Sequence, residues 1–354
     1  MTRKLRIAVL FGGRSAEHEV SLMSARNAVG ALDRARYEIV PIGIAKDGRW
    51  LLVDLEDGAL PQAIPASGTQ VALIPGGKGQ AVTIAADGRQ GLLPAIDLIF
   101  PVLHGPFGED GTVQGYAETA DVAYVGCGVA ASAAAMDKAL AKRLLVAEGI
   151  PVARAIAVHE GDAQPGEALL EALGLPLFVK PARQGSSVGV SRVDSLDALQ
   201  PALDEAFRHD DKVLIEEFVR AREIECSVLE DAEGRLTVSR PGEIIPAESH
   251  GFYSYDAKYV DAGAAIVKAP ADLSDEVIAE ARDMAARAFR ALACAGMARV
   301  DFFLRADGSL IINEVNTIPG FTNISMYAKA LAADGIAYQQ VVETLIAHAL
   351  KLRG

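Results

Sequence analysis

The chain has 354 residues, of which 51% are hydrophobic and 23% are charged. A chain of this length and composition buries a sizeable core and is expected to divide into two or three domains, which excludes a disordered or fibrous protein. Its 34 Lys and Arg against 47 Asp and Glu give a formal net charge of −13, which opposes nonspecific attraction to nucleic acid or anionic lipid. We therefore expect no nucleic-acid or membrane partner, and an anionic ligand would require a local basic pocket.

The sequence favours a cytoplasmic protein with free thiols. Residues 1–4 run directly into a strand-like segment at 5–11, which leaves no room for an apolar signal segment and its cleavage site. The longest weakly polar stretch is shorter than the roughly 18 apolar residues of a membrane span. Cys127, Cys226 and Cys294 are odd in number and widely spaced, so neither a disulfide framework nor a zinc site is expected.

The first 125 residues alternate between strand and helix patterns, because short β-branched runs give way to apolar residues at helical spacing. In chain order the pattern predicts strand 5–11, helix 19–32, strand 37–45, strand 96–103 and helix 110–120. This alternation is typical of a parallel, helix-covered sheet, so we predict an N-terminal α/β domain over residues 1–125. Within it, residues 55–90 are rich in Gly, Pro, Ala and Asp and are interpreted as variable excursions with short hairpins.

Two further units are predicted, a central one over residues 126–215 and a C-terminal one over 216–354. The central pattern predicts helix 137–148, strand 152–158, helix 166–173, strand 177–180, a Gly-rich turn at 181–187 and strand 188–193. The C-terminal pattern predicts strands near 213–219, 223–229 and 236–239, a long helix over 275–294, and the paired strands 298–304 and 310–315. Apolar residues of the long helix form one stripe, and Ser274 is suited to cap its first turn.

Three oxygen-bearing side chains lie near the ends of the last two predicted strands. Glu314 and Asn316 are two residues apart and so share one strand face, and hairpin pairing could place Asp301 opposite them. Carboxylate and amide oxygens suit a hard cation such as Mg²⁺, which keeps positions open for substrate phosphates. A solvated polar face on an edge hairpin is the competing interpretation, although the apolar neighbours of these acids indicate that they need a partner.

Two lysines are candidate phosphate-binding residues. Lys180 ends an apolar strand just before residues 184–189 (QGSSVG), where Gly and Ser allow backbone N–H groups to approach an anion closely. Lys138 lies near the start of a predicted helix, and either lysine alone is more often a surface residue. The G-x-G-x-x-G and P-loop patterns are absent, so a phosphate site of another kind is indicated.

Segments spread over most of the chain resemble the ATP-grasp ligases, and specifically the D-alanine–D-alanine ligase family. They occur in the family's order between residues 11 and 325, and together they are highly specific. The segments are 11–21 (FGGRSAEHEVS), 103–112 (LHGPFGEDGT), 136–138 (MDK), 179–189 (VKPARQGSSVG), 216–218 (EEF), 223–228 (EIECSV), 252–259 (FYSYDAKY), 298–301 (ARVD) and 312–322 (INEVNTIPGFT). Departures are small: Ala182 stands where Ser is common, and Tyr327 lacks the Pro that often follows it.

The resemblance implies a three-domain α/β ATP-grasp fold, with an N-terminal parallel α/β substrate domain followed by two ATP-grasp domains. It implies that ATP lies between the central and C-terminal domains and that two Mg²⁺ (or Mn²⁺) ions bridge its phosphates. It implies that Asp301, Glu314 and Asn316 are the metal ligands. The implied nucleotide contacts are Lys138 and Lys180 to phosphates, Lys258 to the γ-phosphate, Glu216 to the adenine amino group, Glu223 to the ribose, and Glu217, Phe218 and Val219 as the hinge.

The resemblance also implies a reaction that serves peptidoglycan precursor synthesis. A D-alanine carboxylate attacks the γ-phosphate to give an acyl phosphate, and the amine of a second D-alanine then attacks the acyl carbon. Arg299 and the backbone N–H of Gly320 would stabilise the oxyanion. The resemblance implies that Glu17 binds the ammonium of the first D-alanine and that Ser186 and Tyr259 are the hydrogen-bonding partners of Glu17. It also implies that His104 lies at the cleft and that Ser325 binds the carboxylate of the second D-alanine.

Each of these side chains also has a structural interpretation. Arg299 could form an ion pair with a neighbouring acid, and Glu17 could serve as the negative charge at a helix N-terminus. His104 could be a hydrogen-bonded histidine at a strand end, and Ser325 could cap a helix.

An aromatic segment at residues 251–260 is interpreted as part of a lid over 246–262 that excludes water from the acyl phosphate. A partner-binding patch is the competing interpretation. Two alternatives for the whole chain stay open: another ATP-grasp carboxylate–amine ligase with a different acceptor, and a catalytically silent nucleotide-binding regulator. A homodimer is expected by family analogy alone.

Overall fold

The computed structural model describes residues 3–246, 265–322 and 324–353. Within these residues the backbone forms three β-sheets with helices packed against them. The predicted lid, apart from residue 246, lies outside the described residues, and so do Lys258 and Tyr259. No described helix has both the length and the apolar character required to cross a membrane.

The first sheet is built from the N-terminal part of the chain. Its strands are β1 (Leu5–Gly12), β2 (Tyr37–Ile44), β3 (Trp50–Leu52), β4 (Gln70–Leu73), β5 (Ala81–Ile84), β6 (Gln90–Leu93), β7 (Leu98–Val102) and β8 (Ala123–Tyr124), in the spatial order β6-β5-β4-β3-β2-β1-β7-β8. Strands β2, β1, β7 and β8 pair in parallel, as predicted. The antiparallel strands β3 to β6 extend the sheet, and β4 to β6 are the short hairpins expected within residues 55–90.

Two helices connect strands of the first sheet, and two more follow its last strand and lead into the rest of the chain. They are α1 (His18–Ala31), α2 (Thr112–Thr119), α3 (Val129–Met136) and α4 (Lys138–Ala147), of which the sequence analysis missed α3. The turn from β1 into α1 requires glycine, because Gly12 has φ +90° and a Cβ there would lie 2.5 Å from the carbonyl oxygen of Ile44. This sharp turn brings Glu17 to the N-terminus of α1.

The second sheet is antiparallel and forms the central part of the molecule. Its elements are β9 (Ala155–His159), α5 (Glu167–Leu173), β10 (Leu177–Pro181), β11 (Ser191–Val193), α6 (Leu199–Phe207) and β12 (Lys212–Glu217), with the strands in the order β11-β10-β12-β9. Apolar side chains of α5, α6 and the strands form one core. The predicted strands and the helix at 166–173 are confirmed within a few residues.

The third sheet carries the acidic residues singled out in the sequence. Its elements are β13 (Ala221–Glu230), β14 (Leu236–Val238), β15 (Gly242–Pro246), β16 (Ala265–Lys268), α7 (Asp275–Ala291), β17 (Met297–Arg305) and β18 (Leu310–Asn316), with the strands in the order β16-β15-β13-β17-β18 and β14 beside β13. Helix α7 buries Ala281, Met284, Ala285, Ala288 and Phe289. The predicted apolar stripe is confirmed, and so is the cap, because Ser274 Oγ accepts a hydrogen bond from the Val277 N–H at 3.4 Å.

Two C-terminal helices that the sequence analysis did not predict complete a hydrophobic core on the first sheet. They are α8 (Met326–Ala333) and α9 (Tyr338–Arg353). Val342 and Leu345 of α9 are buried in one cluster with Ile7 and Phe100 of the first sheet. The guanidinium of Arg353 also lies 3.7 Å from the ring centroid of Tyr124. The C-terminal segment therefore fixes the N-terminal sheet against the rest of the chain.

The cores do not follow the chain order of the predicted domains in every detail. Cys127, Ala131 and Leu145, from residues 126–150, are buried together with side chains of the third sheet, whereas the second sheet has a core of its own. The division into domains at residues 125 and 215 stays a prediction.

The stability of the core between the third sheet and α7 should depend strongly on Phe289. Phe289→Ala removes a fully enclosed ring and leaves a cavity, so we expect it to lower the free energy of unfolding by about 3–5 kcal/mol. The neighbouring Arg290→Ala, on the exposed face of the same helix, should change it by no more than about 0.5 kcal/mol. Urea unfolding followed by circular dichroism measures both, and equal effects would contradict the assignment of this core.

Candidate active site

Two adjoining cavities contain nearly all of the predicted site residues that the structure describes. The first cavity has a volume of about 300 Å³ and is lined by Glu17, His104, Lys138, Ser186, Arg299, Glu314, Asn316, Gly320 and Ser325, among others. The second has a volume of about 400 Å³ and is lined by Lys138, Lys180, Ser186, Glu216, Glu217, Phe218, Val219, Glu223 and Glu314, among others. Lys138, Ser186 and Glu314 line both cavities, so the two meet at these residues. Asp301 lies behind the wall, in contact with Arg299.

Glu17 reaches across the first cavity to the loop after β10. The Ser186 hydroxyl donates a hydrogen bond to Glu17 Oε1. Gly185 makes this approach possible, because a Cβ there would lie 2.6 Å from Glu17 Oε2. Glu17 occupies the N-cap position of α1, but its side chain makes no capping hydrogen bond. The structural interpretation, a negative charge at a helix N-terminus, is compatible with this position, and the side chain also lines the first cavity.

The loop that carries Ser186 has an uncommon backbone conformation. Ser186 and Ser187 have φ values of 50° and 59°, in the left-handed region that non-glycine residues rarely adopt. Such conformations persist where surrounding contacts hold them and they occur often at ligand sites. Here the backbone turns Ser186 toward Glu17, while Lys138 Nζ donates to the Gln184 carbonyl oxygen at 2.6 Å on the other side of the loop.

Arg299 is a buried cation held between two carboxylates. Its Nε and Nη2 donate to Asp301 Oδ1 and Oδ2, both at 2.7 Å, and Nε lies 3.0 Å from Glu225 Oε2. Burial opposes the charged form, but the carboxylates of Asp301 and Glu225 outweigh burial and hold the pKa of Arg299 above its usual value. The ion pair with a neighbouring acid, one of the two interpretations above, is therefore present. Arg299 nevertheless also lines the first cavity.

The three predicted metal ligands occupy one end of the β17–β18 hairpin. Asp301 and Glu314 are direct partners across the two strands, and a β-bulge follows at once, because Phe302 pairs with Ile312. A bulge re-aims the neighbouring side chains and is frequent beside active sites. Asn316 Nδ2 donates to Asp301 Oδ2 at 3.0 Å. The predicted placement of Asp301 opposite Glu314 is confirmed.

This donor set fits Mg²⁺ or Mn²⁺ only together with a ligand. Among the described residues, no cluster of three or more His, Cys, Asp or Glu side chains could hold a metal ion. Two carboxylates and one amide provide hard oxygen ligands but leave most positions of an octahedral ion for other oxygens, such as phosphates and water. Lys138 Nζ lies 3.8 Å from Glu314 Oε2 and places a further positive charge beside these positions.

Glu216 in the second cavity lies between two lysines. Lys180 Nζ is 3.0 Å and Lys142 Nζ is 3.2 Å from Glu216 Oε2. Lys142 also donates to the Ala153 carbonyl oxygen at 3.1 Å. Burial raises the pKa of Glu216, but the two ammonium groups outweigh burial and lower it. Glu216 is thus an ionised acceptor that lines the second cavity.

The residues predicted as the hinge join β12 to β13. The Glu217 carboxylate points to Arg154, whose Nε donates to it at 2.7 Å. The ring of Phe218 packs against Phe178 with the centroids 5.9 Å apart. These side chains fix the segment, and Val219 and Glu223 continue the lining of the second cavity.

The remaining predicted residues lie around the loop after β18. Both ring nitrogens of His104 have protein partners, Ser24 Oγ at 3.1 Å and the Ile318 carbonyl oxygen at 3.1 Å. Burial lowers the pKa of His104, which favours the neutral ring. Ser325 is the N-cap residue of α8 without a side-chain capping bond to that helix, and its Oγ lies 2.7 Å from Thr322 Oγ1.

Sequence reasoning missed Lys142, Glu225 and Glu109, although each had a local signal. Lys142 follows Lys138 by four residues and so lies on the same helix face. Glu225 follows Glu223 by two residues in a strand and so points to the same face. Glu109 is part of the segment 103–112 that carried the resemblance. In each case the local pattern was visible but the partner was not.

Comparison with known proteins agrees with this geometry. The family model described as D-ala D-ala ligase N-terminus matches residues 6–127, and the model described as D-ala D-ala ligase C-terminus matches residues 144–347. The chain belongs to the D-alanine–D-alanine ligase family. The family predicted from the sequence, an ADP-forming class of ligase, is thereby confirmed.

Full-length relatives support the same membership. A D-alanine–D-alanine ligase A of Mesorhizobium japonicum is 62% identical over 354 residues, which cover 99% of this chain and 98% of that protein. The solved D-alanine–D-alanine ligase of Coxiella burnetii has a TM-score of 0.85 at 36% identity and covers 99% of this chain and 95% of that one. The VanG D-Ala:D-Ser ligase of Enterococcus faecalis has a TM-score of 0.82 at 34% identity, with 98% and 100% covered. The predicted α/β ATP-grasp fold is confirmed.

The lysine pair around Glu216 generates a testable expectation. Lys142→Met leaves Glu216 buried with one cationic partner, so we expect the free energy of unfolding to fall by about 1–3 kcal/mol at neutral pH. Because the pKa of Glu216 is lowered in the folded state, this stabilisation is present above the usual pKa of a glutamate and is lost as the pH falls through the folded value. The difference between parent and variant should therefore shrink in acid.

Thermal unfolding between neutral pH and acid measures this difference. Arg143→Met is the matched control, because Arg143 neighbours Lys142 but is exposed. A loss for Lys142→Met that did not depend on pH would contradict the role of the ion pair.

Proposed function

We propose that the chain joins two molecules of D-alanine into D-alanyl-D-alanine and converts ATP into ADP and phosphate, as a step of peptidoglycan precursor synthesis. The observation that carries the proposal is the junction of the two cavities at Lys138, Ser186 and Glu314. A nucleotide in the second cavity would present its last phosphate to a substrate in the first. The identity of 62% to a D-alanine–D-alanine ligase over nearly the whole chain supports this assignment.

The first step requires charge neutralisation and positioning rather than a nucleophilic side chain. Lys138 and Lys180 bind phosphate oxygens, and Lys258 adds a contact to the γ-phosphate. Asp301, Glu314 and Asn316 would hold two Mg²⁺ or Mn²⁺ ions, which neutralise phosphate charge. Glu216 accepts from the adenine amino group and Glu223 from the ribose. Glu17 holds the ammonium of the first D-alanine, so that its carboxylate attacks the γ-phosphorus and ADP leaves.

The second step develops negative charge on the carbonyl oxygen of the acyl phosphate. Ser325 receives the carboxylate of the second D-alanine, whose neutral amine attacks the acyl carbon, and phosphate leaves when the tetrahedral intermediate collapses. Arg299 lines the first cavity, and we assign its guanidinium to the oxyanion together with the N–H of Gly320. Fixed donors of this kind are usually the largest catalytic term. Tyr259 and the lid would exclude water.

The two alternatives, a catalytically silent regulator and a ligase with a different acceptor, are not equally compatible with the site. A silent nucleotide-binding regulator would not need a buried Arg299 held beside the cavity at the cost of two buried carboxylates. An enzyme with a different acceptor has to be tested directly, because one similar structure is a D-Ala:D-Ser ligase. We extend the proposal to a cytoplasmic location, where ATP is available, and to a homodimer by family analogy; light scattering of the purified protein tests the dimer.

The proposed reaction makes a direct prediction about substrates. With ATP, Mg²⁺ and D-alanine the protein should release one phosphate for each D-alanyl-D-alanine formed. L-Alanine should replace D-alanine poorly, and D-serine should be a minor acceptor in competition with D-alanine. Phosphate release coupled to mass spectrometry of the products measures these ratios. Equal turnover of the two alanine enantiomers, or hydrolysis of ATP without dipeptide, would refute the proposal.

A second prediction concerns the proposed metal ligands. Glu314→Gln removes one negative charge and almost no volume, so we expect dipeptide formation to be lost at ordinary Mg²⁺ concentrations while the circular dichroism spectrum stays that of the parent. Asp307→Asn is the control on the same hairpin, because Asp307 lies in the turn and contacts Ser309, and it should retain activity. Most of the parent activity remaining in Glu314→Gln would remove Glu314 from the metal site.

A further inference from the structure

The backbone of Ile318 is held on both sides by side chains of a distant loop. Its N–H donates to Glu109 Oε1 at 3.3 Å, and its carbonyl oxygen lies 3.1 Å from His104 Nδ1. Both side chains belong to the loop that follows β7, more than 200 positions earlier in the chain. Glu109 Oε2 accepts a second backbone hydrogen bond, from Gly105 at 2.6 Å. The carboxylate of Glu109 therefore links the two loops directly.

The hydrogen bonds form a consistent sequence of donors and acceptors. The Phe321 N–H donates to Ser24 Oγ at 3.3 Å, and Ser24 Oγ lies 3.1 Å from His104 Nε2. If Ser24 donates to Nε2, then Nδ1 carries the proton and donates to the Ile318 carbonyl oxygen. This is the neutral ring that burial favours. The network thus holds the chain at Ile318 and again at Phe321.

The segment between these two anchors has little to hold it in place by itself. Pro319 has no N–H to donate, and Gly320 has no side chain. Gly320 is also the residue whose N–H we assign to the oxyanion, and an oxyanion donor is effective only when its direction is fixed before the reaction. The anchors at Ile318 and Phe321 supply this direction from outside the segment.

We propose that Glu109 and His104, with Ser24, are positioning residues that hold residues 318–321 so that the Gly320 N–H points at the reacting carbonyl oxygen. The inference rests on the proposed function for the identity of that oxygen. It assigns His104 a role different from the substrate contact expected from the resemblance, because both ring nitrogens are already engaged. Glu109 acquires a role that the sequence did not indicate.

The electrostatics of Glu109 favour a role in the site over a contribution to stability. Burial, followed by the charges of Glu17 and Glu314, raises the pKa of Glu109. An acid placed near two other acids in a poorly solvated position opposes folding. Such a departure is expected where a side chain serves a site, and here it provides acceptors for two backbone N–H groups.

Glu109→Gln tests the positioning role with a minimal change of shape. A glutamine offers one acceptor oxygen, which the shorter bond to Gly105 should retain, and its NH₂ group would then oppose the N–H of Ile318. We expect faster hydrogen exchange in a peptide covering residues 315–322. We also expect kcat to fall about ten- to a hundredfold, while KM for ATP stays that of the parent because Glu109 does not line the second cavity.

Asp110→Asn is the matched control. The Asp110 carboxylate accepts from Phe107 and Thr112 within its own loop and does not touch Ile318. It should weaken that loop without changing exchange at 315–322 or kcat. Ser24→Ala is a second variant, in case Glu109→Gln folds poorly, and should increase exchange in the same peptide and lower kcat in the same direction.

The outcomes separate this inference from the proposed function. Parent exchange and parent kcat in both Glu109→Gln and Ser24→Ala would overturn the positioning role, and so would equal losses in Glu109→Gln and Asp110→Asn. If the parent protein formed no dipeptide, the proposed function would fail, while the exchange measurement would still decide whether Glu109 and Ser24 hold the segment.

Discussion

The site depends on the compensation of buried charge within the protein. Removing an ion from water is costly unless partners inside the fold replace its hydration. Arg299 has Asp301 and Glu225 as its partners, and Glu216 has Lys142 and Lys180. These partners lie mainly on paired strands, so the charges keep their positions before any ligand arrives. A site arranged in this way does not need to reorganise when charge develops during a reaction, which is the condition for strong electrostatic stabilisation.

The same charges can meet a substrate only because three sheets converge. The turn that follows β1 of the first sheet provides Glu17, the loop after β10 in the second provides Ser186, and the third provides Arg299 and Glu314. Helix α9 packs its apolar face into a core that contains side chains of the first sheet and also Leu229 and Met297 of the third, so the C-terminal end of the chain joins these two sheets. Packing far from the cavities therefore controls their geometry, because close-packed cores transmit displacements rather than absorb them.

Local departures from regular backbone occur where the site needs them. The bulge after Asp301 changes the register of β18 beside Glu314, and the left-handed Ser186 and Ser187 turn one loop toward Glu17. Gly12 closes the turn into α1 where no side chain would fit. Regular strands and helices fix side chains at a period of two or 3.6 residues, so directing several groups at one point requires residues that leave this regular spacing.

The sequence by itself determined most of the elements and indicated which residues of the candidate site carry chemistry. Apolar periodicity located most of the strands and α7, and the two-residue spacing of Glu314 and Asn316 placed both on one strand face, because these features depend on neighbours within a few positions. Only the tertiary structure decided the partners that the resemblance did not imply, such as Ile318 with His104 across 214 positions and with Glu109 across 209. It also decided that α9 closes the first core and that Lys142, Glu225 and Glu109 belong to the site. No local pattern specifies which distant residue will compensate a buried charge, since that choice is made only when separate elements pack against each other.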